Sequence, residues 1–549
     1  MQWSWPVRAV VPCFGVGRLL YVWGIMTYLA VPISAQSVDQ AIRQIREALA
    51  AGAEMLELRT DYLDHLDKDS VAALIAEARR TIPASIPVIV TCRDPREGGA
   101  GNHPQFLRIE ILLAALEAGV DFIDLEYANF TRPEIGSRVR TALASRPGSR
   151  LILSAHDFQG KFADVRRLYR GIRQDCPDAV PKLVYTANHI NDCFEAFDLF
   201  HETQGDRIVL CMGQAGLISR ILAKKLGGLV TFASVNEQAA TAPGQLTVDR
   251  LKGLYRHDSI NAETELFGVI ADPVGHSLSP ALHNACFADR RLNKLYLPLL
   301  VQGGPAEFNQ FLDNVLARPW LSFRGFSVTI PHKHSALKYV YEQGGFLAPL
   351  VDKIGAANTL LLDPHGDSPK RRIRAYNTDY AGALDAITAG MGIERTALRN
   401  VPVAVVGAGG VSRAIVAGLT DAGAKVTIYN RTVERAEELA REFGGESGGL
   451  DKLPQMNARL LINCTSIGMH PNVDATPVPA EYLKPGMTVF DTIYNPAETL
   501  LLKQAEQKGA KTIDGVAMFV NQAAAQFHLF TSQSADTDLM RKVVLGNLR

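Results

Sequence analysis

The stretch YLAVPISAQSVDQAIRQIREALAAG (residues 28–52) joins a short apolar run to a segment whose apolar residues have helical spacing. Ser37 is a typical helix N-cap and Gly52 a typical stop, so the stretch predicts one strand followed by one helix. The same order recurs through residue 234. The apolar runs are YLAVPI (28–33), MLELR (55–59), PVIVTC (87–92), FIDLEY (122–127), RLILSA (150–155), KLVYTA (182–187), RIVLCM (207–212) and LVTFAS (229–234).

Eight strand–helix units over about 220 residues are what an α/β fold of the (β/α)8, or TIM-barrel, type requires. Strand periodicity alone also fits an open doubly wound sheet, so both folds remain open at this point. After the eighth unit, TVDRLKGLYRHDSI (247–260) predicts a final helix and NAETE (261–265) a polar junction.

Two further α/β regions follow the junction. One begins at LFGVIAD (266–272), and the other begins at PVAVVGAGGVSRA (402–414). The second motif places a strand, a glycine turn and a helix start in succession, which is typical of a dinucleotide-binding fold. Its glycines allow the backbone to approach a pyrophosphate at the helix N-terminus. Ser412 stands where the fingerprint has its last glycine or alanine, so the match is incomplete.

Composition and charge argue against several classes of protein. The 549 residues include 57 basic and 57 acidic side chains, a balance that gives no support to nucleic-acid or anionic-membrane binding. The seven cysteines contain no C-x-x-C pair. A disulfide framework and a metal site are therefore not expected, and a reducing, cytoplasmic compartment is predicted. We expect small-molecule ligands, and the oligomeric state stays open.

The first 25 residues are apolar and rich in tryptophan, which is partly typical of a signal peptide. Arg18 interrupts the apolar run, however, and cleavage near residues 33–35 would delete the first barrel strand. We interpret residues 1–25 as a disposable extension or an upstream misassigned start, with Met26 as the true one. No other stretch reaches the ~20 apolar residues that a membrane span requires.

Reactive side chains follow the predicted barrel strands, whose carboxyl ends carry the active site in barrel enzymes. Three arginines, one lysine and one histidine would meet there. This set predicts a small polyhydroxy acid as the ligand, with an arginine binding its carboxylate. The candidates are Glu57, Arg59, Arg93, Glu97, His156, Lys182, Arg220, Thr241 and Gln245.

Six motifs within residues 27–255 resemble type I 3-dehydroquinate dehydratase: ELRTDYL, VTCRDPREGG, SAHDF, PKLV, MGQAGLISR and TAPGQ. The resemblance implies that Lys182 forms an imine with the substrate ketone and that His156 transfers the proton. It implies further that Glu97 orients this histidine and that Arg220 binds the substrate carboxylate. The residues implied to contact the hydroxyls and ring are Glu57, Arg59, Arg93, Thr241 and Gln245.

The chemistry explains these residue types. An iminium ion makes the adjacent C–H acidic, and cationic neighbours favour the free amine that must attack the ketone. Histidine titrates near neutrality, so it can accept a proton and then protonate the departing hydroxyl. Taken singly, Lys182 would be interpreted as a surface lysine and His156 as a structural residue. Only the joint pattern favours catalysis.

The region 266–545 resembles shikimate dehydrogenase. The resemblance implies that Lys333 and Asp379 form the catalytic pair, because an alkoxide developing from the ketone needs a proton donor and a positive neighbour. GFSVTIPHK (325–333) departs from the family's commoner N-V-T-x-P-x-K by having Ser327 at the asparagine position, so the substrate contact expected there is open. The residues implied to bind substrate are Ser277, Ser279, Thr329, Asn358, Asn377 and Gln522. S-x-S-P alone also fits a helix N-cap.

The end of the strand KVTIYNRT (425–432) predicts the cofactor. An NAD site has an acidic residue there for the ribose hydroxyls. Here Arg431 suits the additional 2′-phosphate, so NADPH is predicted. The residues implied to contact the cofactor are Gly407, Ala408, Gly409, Gly410, Val411, Asn430, Arg431, Thr432, Thr465, Gly515 and Met518. Core packing is the alternative for Met518.

Together, the two resemblances predict a fused enzyme that dehydrates 3-dehydroquinate and then reduces the product, 3-dehydroshikimate, to shikimate. The predicted parts are the extension (1–25), the barrel (26–258), a substrate-binding domain (264–380), a Rossmann-type NADP domain (381–520) and C-terminal helices that pack back on the substrate domain (521–549). One alternative is a catabolic quinate or shikimate dehydrogenase that uses NAD, against which Arg431 argues. The other is a non-catalytic sensor, against which Lys182 and His156 argue.

Overall fold

The computed structural model describes residues 27–363 and 373–548. The predicted extension 1–25 lies outside them. The chain divides into two compact units, one ending at Thr264 and the other beginning at Glu265. Within the described ranges, we find no helix with the length and hydrophobicity needed to cross a bilayer.

The first unit is a parallel barrel, which confirms the predicted fold. Its strands follow the order β7-β6-β5-β4-β3-β2-β1-β8. Near the ends of this order, the Leu229 amide donates to the Arg207 carbonyl at 2.8 Å. The strands are β1 (Tyr28–Ile33), β2 (Met55–Arg59), β3 (Val88–Thr91), β4 (Phe122–Glu126), β5 (Arg150–Asp157), β6 (Val180–Thr186), β7 (Ile208–Met212) and β8 (Val230–Phe232).

The barrel helices lie between these strands. They are α1 (Val38–Ala51), α2 (Lys68–Thr81), α3 (Gln105–Glu117), α4 (Tyr127–Phe130), α5 (Pro133–Ala144), α6 (Val165–Asp175), α7 (Cys193–Glu202) and α8 (Leu217–Leu222). Helix α1 begins and ends as predicted: the Ser37 side chain accepts from the Gln40 amide, and Gly52 has a left-handed backbone with φ 96°. The final helix predicted over 247–260 is wrong in length. The structure has a π-helical turn at Arg250–Leu254 and a 3-10 turn at His257–Ser259.

The second unit contains two sheets. The first sheet has the order β10-β9-β11-β13-β14-β12, with β13 antiparallel to both of its neighbours. Its strands are β9 (Glu265–Ala271), β10 (Lys294–Leu300), β11 (Phe323–Val328), β12 (Phe346–Leu347), β13 (Thr359–Leu362) and β14 (Ile373–Tyr376). Its helices are α9 (Ser279–Asp289), α10 (Pro305–Leu316), α11 (Lys333–Glu342) and α12 (Val351–Ile354).

The other sheet is parallel, with the order β17-β16-β15-β18-β19-β20. Its strands are β15 (Pro402–Val406), β16 (Lys425–Tyr429), β17 (Glu446–Gly448), β18 (Leu460–Asn463), β19 (Thr488–Asp491) and β20 (Lys511–Ile513). The remaining helices are α13 (Thr378–Met391), α14 (Gly410–Asp421), α15 (Val433–Phe443), α16 (Leu500–Gln507), α17 (Gly515–Thr531) and α18 (Thr537–Asn547). Helices α13 and α17 cross at Gly382, where a Cβ atom would lie 2.7 Å from the Gln522 amide nitrogen. This close crossing packs α13 directly against α17.

Candidate active sites

Lys182 lies inside the barrel, in the middle of β6, and is almost completely buried. Its Nζ is 2.7 Å from Asp124 Oδ2 and 3.4 Å from Glu57 Oε1, and it lies 4.6 Å from the centre of the Phe232 ring. From the sequence we expected cationic neighbours around this amine. The charged groups in direct contact with it are two carboxylates that point inward from β2 and β4, and the cation Arg93 binds the same Asp124 oxygen at 2.8 Å.

Asp124 is a site residue that the sequence analysis missed. Besides Lys182, it accepts hydrogen bonds from Arg93 Nη2 at 2.8 Å and from Ser154 Oγ at 2.6 Å. Burial by itself would raise the pKa of Asp124, but the nearby cations Arg93 and Lys182 hold it far below its usual range. The carboxylate is therefore ionised. A carboxylate in the middle of the apolar run FIDLE was the available signal.

Arg93, predicted as a substrate contact, is buried and bonded to protein groups. Its Nη1 donates to Glu126 Oε1 at 2.9 Å and to Ser154 Oγ at 2.6 Å, while Nη2 contacts Asp124. Arg59 is similarly engaged in a two-point ion pair with Asp61, at 2.9 and 2.7 Å. A direct contact of either arginine with substrate stays a prediction.

His156, at the end of β5, and Glu97 form a partly buried pair, with side chains 10% and 16% exposed. Glu97 Oε2 lies 3.0 Å from His156 Nδ1 and also accepts the His156 backbone amide at 3.0 Å. Because Oε2 is the accepting oxygen, we assign the proton to Nδ1, which leaves the Nε2 lone pair available as a base. Burial lowers the pKa of His156 well below its usual value and raises the pKa of Glu97 to about 7. Both shifts favour a neutral imidazole.

Arg220 is a buried cation whose guanidinium is left partly unpaired by the residues that the structure describes. Its Nε and Nη2 atoms have no hydrogen-bond partner among the residues that the structure describes. Burial lowers the pKa of Arg220 to about 10, so the group remains charged at neutral pH. An unpaired buried guanidinium is costly unless an anion reaches it, and a carboxylate suits its fork geometry. This arrangement fits the predicted role in binding the substrate carboxylate.

Ser234 Oγ and Gln245 Nε2 are among the other polar atoms of the barrel that are buried and unpaired within the described chain. Gln245 Oε1 accepts the Thr241 amide at 2.8 Å, which leaves its NH2 group available for another acceptor. Ser234 follows β8, and its buried hydroxyl was not predicted, because a serine after a short apolar run carries no distinctive signal.

We expect Arg220→Met to stabilise the free protein and to impair dehydration. Removing a buried unpaired charge is expected to increase unfolding free energy by about 1–3 kcal/mol. Loss of a two-point carboxylate contact is expected to lower dehydratase kcat/KM by about 10²-fold or more. Thermal unfolding and steady-state kinetics measure the two effects. A destabilised variant with unchanged kcat/KM would contradict this interpretation.

In the second unit, Lys333 and Asp379 lie together as predicted. Lys333 Nζ is 2.6 Å from Asp379 Oδ2, and Lys333 is the first residue of α11. Asp379 Oδ1 accepts from Asn358 Nδ2 at 2.9 Å, while the Asp379 amide donates to Asn377 Oδ1 at 3.0 Å. The lysine is 23% exposed and the aspartate 7%. Asn358 therefore fixes one carboxylate oxygen of Asp379, and the Lys333 ammonium binds the other.

The predicted carboxylate-binding serines lie at the start of α9. Ser279 is the first residue of the helix, while the N-cap is Leu278, so Ser279 is not the cap. Ser277 Oγ accepts the Ser279 amide at 3.3 Å, which is the cap-like contact that the sequence allowed. Gln522 is half-buried on α17, and Thr329 directly follows β11.

Ser327 is buried, and its hydroxyl is engaged within the protein. Tyr296 Oη donates to Ser327 Oγ at 2.6 Å, and Ser327 Oγ donates to Gln526 Oε1 at 2.7 Å. The residue at the commoner asparagine position of the family motif is thus part of an internal hydrogen-bond network.

The dinucleotide loop has the geometry that a pyrophosphate requires. Gly407 follows β15 with φ 109°, and a Cβ there would lie 3.0 Å from Thr465 Cγ2. A Cβ added at Gly409 or Gly410 would meet no described atom within 4 Å. Ser412, the imperfect fingerprint position, is buried, and its Oγ accepts the Gly409 amide at 3.2 Å. Open backbone at the N-terminus of α14 therefore fits a phosphate group.

The residues after β16 form the other half of the cofactor site. Arg431 and Thr432 are exposed, and Asn430 Nδ2 donates to the Thr432 carbonyl at 2.8 Å. Val411 lies in the first turn of α14, and Ala408 belongs to the glycine loop that precedes this helix. Thr465 is held by Asn463 through two hydrogen bonds, at 2.9 and 2.7 Å.

The predicted nicotinamide contacts differ in burial. Gly515 begins α17, and a Cβ there would lie 2.2 Å from the Ile493 carbonyl oxygen. Met518 packs in the hydrophobic cluster of the nucleotide domain and is 6% exposed. Core packing, the alternative named for Met518, is what its surroundings show. Tyr494 stacks on Phe519 with ring centres 4.9 Å apart.

Asp491 is a buried carboxylate at the end of β19. It accepts from Thr499 Oγ1 at 2.7 Å, from Asn463 Nδ2 at 3.0 Å and from the Ile493 amide at 3.1 Å. Burial raises the pKa of Asp491 to about 6. Because folding raises the pKa of this carboxyl, its ionisation lowers the free energy of unfolding as pH rises from about 4 to about 6.

We therefore expect Asp491→Asn to stabilise the second unit at pH 8 but not at pH 4.5. The amide carries no charge, its oxygen can keep the bonds from Asn463 and Ile493, and its NH2 group can donate to Thr499 Oγ1 in a reversed bond. The expected gain at pH 8 is about 1–3 kcal/mol. Calorimetric unfolding at the two pH values measures it. Equal shifts at both pH values would show that the effect is not the titration of Asp491.

The fold and the two sites define a protein that combines a lyase-like barrel with a pyridine-nucleotide-dependent type of dehydrogenase. The family described as type I 3-dehydroquinase matches residues 29–262. The shikimate dehydrogenase substrate binding domain matches residues 269–360, and shikimate/quinate 5-dehydrogenase matches residues 392–470. The C-terminal domain of shikimate 5′-dehydrogenase matches residues 515–545.

The chain also resembles curated proteins. The bifunctional 3-dehydroquinate dehydratase/shikimate dehydrogenase of Arabidopsis thaliana, named as chloroplastic, is 34% identical over 94% of this chain and 84% of its own length. A shikimate dehydrogenase (NADP+) of Methanosarcina mazei is 42% identical over 52% of this chain and 99% of its own length. A solved shikimate dehydrogenase in complex with NADP+ is 35% identical, covering 53% of this chain and 98% of that one, with a TM-score of 0.47.

The chain belongs to the family of bifunctional 3-dehydroquinate dehydratase/shikimate dehydrogenases. The prediction of two linked enzymes, a lyase and an oxidoreductase of the shikimate pathway, is confirmed.

Proposed function

We propose that the barrel dehydrates 3-dehydroquinate through an imine on Lys182 and that the second unit reduces the product, 3-dehydroshikimate, with NADPH. The observation that supports the first reaction best is a buried lysine amine that faces carboxylates in the same barrel as the unpaired cation Arg220. The second reaction is supported by the ion pair of Lys333 with Asp379.

In the dehydratase, Arg220 binds the substrate carboxylate, and the ketone carbon meets Lys182 Nζ. Asp124 and Glu57 hold the lysine nitrogen as its charge partners, and two of the three ammonium protons leave with the ketone oxygen as water when the iminium forms. His156 Nε2 then takes the proton from the adjacent carbon and returns it to the departing hydroxyl. Glu97 keeps the imidazole in the required tautomer throughout. Hydrolysis of the imine releases the product and restores the lysine.

In the reductase, Ser277 and Ser279 bind the substrate carboxylate, and the other predicted contacts align the ring. The nicotinamide of NADPH supplies the hydride when bound. Lys333 stabilises the negative charge that develops on the carbonyl oxygen and provides its proton, while Asp379 holds the ammonium in place. Asn358 and Asn377 fix Asp379 by the hydrogen bonds described above.

The cofactor preference rests on Arg431, an exposed cation beside the end of β16 with no acidic residue in the segment Asn430–Thr432. Arg435 lies one helical turn further on, also exposed. We expect Arg431→Ala to raise KM for NADPH about 10- to 100-fold and to leave KM for NADH nearly unchanged, because only NADPH carries the 2′-phosphate. The matched control is Arg441→Ala, an exposed arginine at the far end of α15. Parallel changes for both cofactors would contradict the assignment.

One assay tests the whole proposal. Purified protein is given 3-dehydroquinate and NADPH, and shikimate is the expected product, with NADH as the control. Shikimate formed equally fast with NADH would favour the alternative of a quinate or shikimate dehydrogenase that uses NAD. Absence of any turnover would contradict both enzymatic assignments and favour a sensor.

A cytoplasmic location and the domain boundaries given in the sequence analysis remain predictions.

A further inference from the structure

One continuous chain of buried hydrogen bonds runs through the substrate domain to the catalytic pair. It starts at Tyr296 on β10, passes Ser327 on β11 and Gln526 on α17, and reaches Thr359 on β13. The remaining links are Gln526 Nε2 to Thr359 Oγ1 at 3.0 Å, Thr359 Oγ1 to Asn358 Oδ1 at 2.8 Å, Asn358 Nδ2 to Asp379 Oδ1 at 2.9 Å and Lys333 Nζ to Asp379 Oδ2 at 2.6 Å.

Backbone groups determine the direction of every link. The Thr378 amide donates to Asn358 Oδ1 at 2.8 Å, so Asn358 must present its NH2 group to Asp379. Gln526 Nε2 also lies 3.4 Å from the Asn358 carbonyl, which can only accept. Its Oε1 is therefore the acceptor for Ser327, and the Ser327 hydroxyl is left to accept from Tyr296. Because each hydrogen bond of this series can run in only one direction, each side-chain amide has one possible orientation.

We propose that Ser327 is a positioning residue of the reductase, which supports the Asn358 amide through Gln526 and Thr359, in addition to the bond from the Thr378 amide, and thereby helps to hold Asp379 against Lys333. The proposal rests on the proposed roles of Asp379 and Lys333. It assigns Ser327 an internal task in place of the substrate contact expected at this motif position.

Burial explains why the loss of the Ser327 hydroxyl should affect the reaction. Tyr296, Thr359, Ser327 and Gln526 are each at most 5% exposed, so water cannot replace a lost partner. Removing the Ser327 hydroxyl takes the partner from Gln526 Oε1 and one partner from Tyr296 Oη, which also interacts with Ser279. The Gln526 amide is then held only through Nε2, so its bonds to Thr359 Oγ1 and to the Asn358 carbonyl are less firmly fixed. Because a small displacement of a catalytic carboxylate lowers the rate more than it lowers binding, the loss should appear in kcat.

The test compares three near-isosteric variants at increasing distance from Asp379: Thr359→Val, Ser327→Ala and Tyr296→Phe. We expect reductase kcat to fall about 100-fold, about 10-fold and about 3-fold, in that order, with KM for NADPH unchanged. The control is Tyr339→Phe, which removes another buried phenol that donates to Asp313 Oδ1 at 2.6 Å, outside the chain. It should keep the parental kcat. Dehydratase activity of the same preparation reports the amount of active protein.

Three results would overturn the proposal. If Ser327→Ala keeps its kcat and raises KM for the ketone, Ser327 is a substrate contact. If all four variants lose the same activity, the hydroxyls contribute only stability. If reductase kcat is unchanged in every variant, the series of buried hydrogen bonds has no influence on the reaction. Failure of the underlying function is distinguishable, because Asp379→Asn would then also retain its reductase activity.

Discussion

Lys182→Arg is expected to lower dehydratase kcat at least about 10⁴-fold, while reduction of 3-dehydroshikimate by the same chain continues at the parental rate. An arginine keeps a positive charge beside Asp124 and Glu57, so the buried carboxylates retain a partner. Its guanidinium stays protonated at all working pH values and cannot form the imine. The variant therefore removes the nucleophilic amine of Lys182 while it keeps the positive charge at that position.

Borohydride trapping measures the imine directly. With 3-dehydroquinate present, the parent protein should gain a covalent adduct, and Lys182→Arg should gain none. Lys161→Arg is the matched control, because Lys161 is exposed and lies 3.7 Å from Glu195 in a surface pair. Trapping that persists in Lys182→Arg would assign the imine to another lysine.

The second large effect is expected for Lys333→Met. Loss of the ammonium that faces the developing alkoxide should lower reductase kcat about 10²- to 10⁴-fold and leave dehydration unchanged. Lys338→Met is the control on the same helix, since Lys338 is exposed and pairs only with Glu342 at 3.7 Å. Initial rates with saturating NADPH measure both variants.

Asp379→Asn completes the comparison. It removes the charge that holds Lys333 and should lower kcat by a similar factor, with a smaller effect on KM for the ketone. Full reductase activity in both variants would show that another pair of residues carries the reaction.

Strand positions were largely predictable for the barrel. Residues 28–33 and 55–59 are strands with the predicted bounds, because buried parallel strands are continuous apolar runs. The structure of segment 247–260 was harder to predict. Its apolar residues have helical spacing, but the segment forms short π-helical and 3-10 turns instead of one long helix.

The partners of the site residues were much less predictable. The order of motifs predicted that Lys182, His156 and Glu97 share one site. It did not reveal that the carboxylates of Asp124 and Glu57 contact the lysine. Arg93 and Arg220 are similar in the sequence, each an arginine after an apolar strand. In the structure, Arg93 is bonded to three side chains, whereas two nitrogens of Arg220 have no partner among the described residues.

The amino-acid sequence alone therefore determined the order of strands and helices, the residue types of both sites and the cofactor prediction. Local periodicity and contiguous motifs carry that information along the chain. Only the tertiary structure decided which charges are paired and which hydroxyls are occupied. Ser327 illustrates the reason: its partners, Tyr296 and Gln526, are 31 and 199 residues away in the chain. Hydrogen bonds depend on distances in space, which no spacing along the sequence reveals.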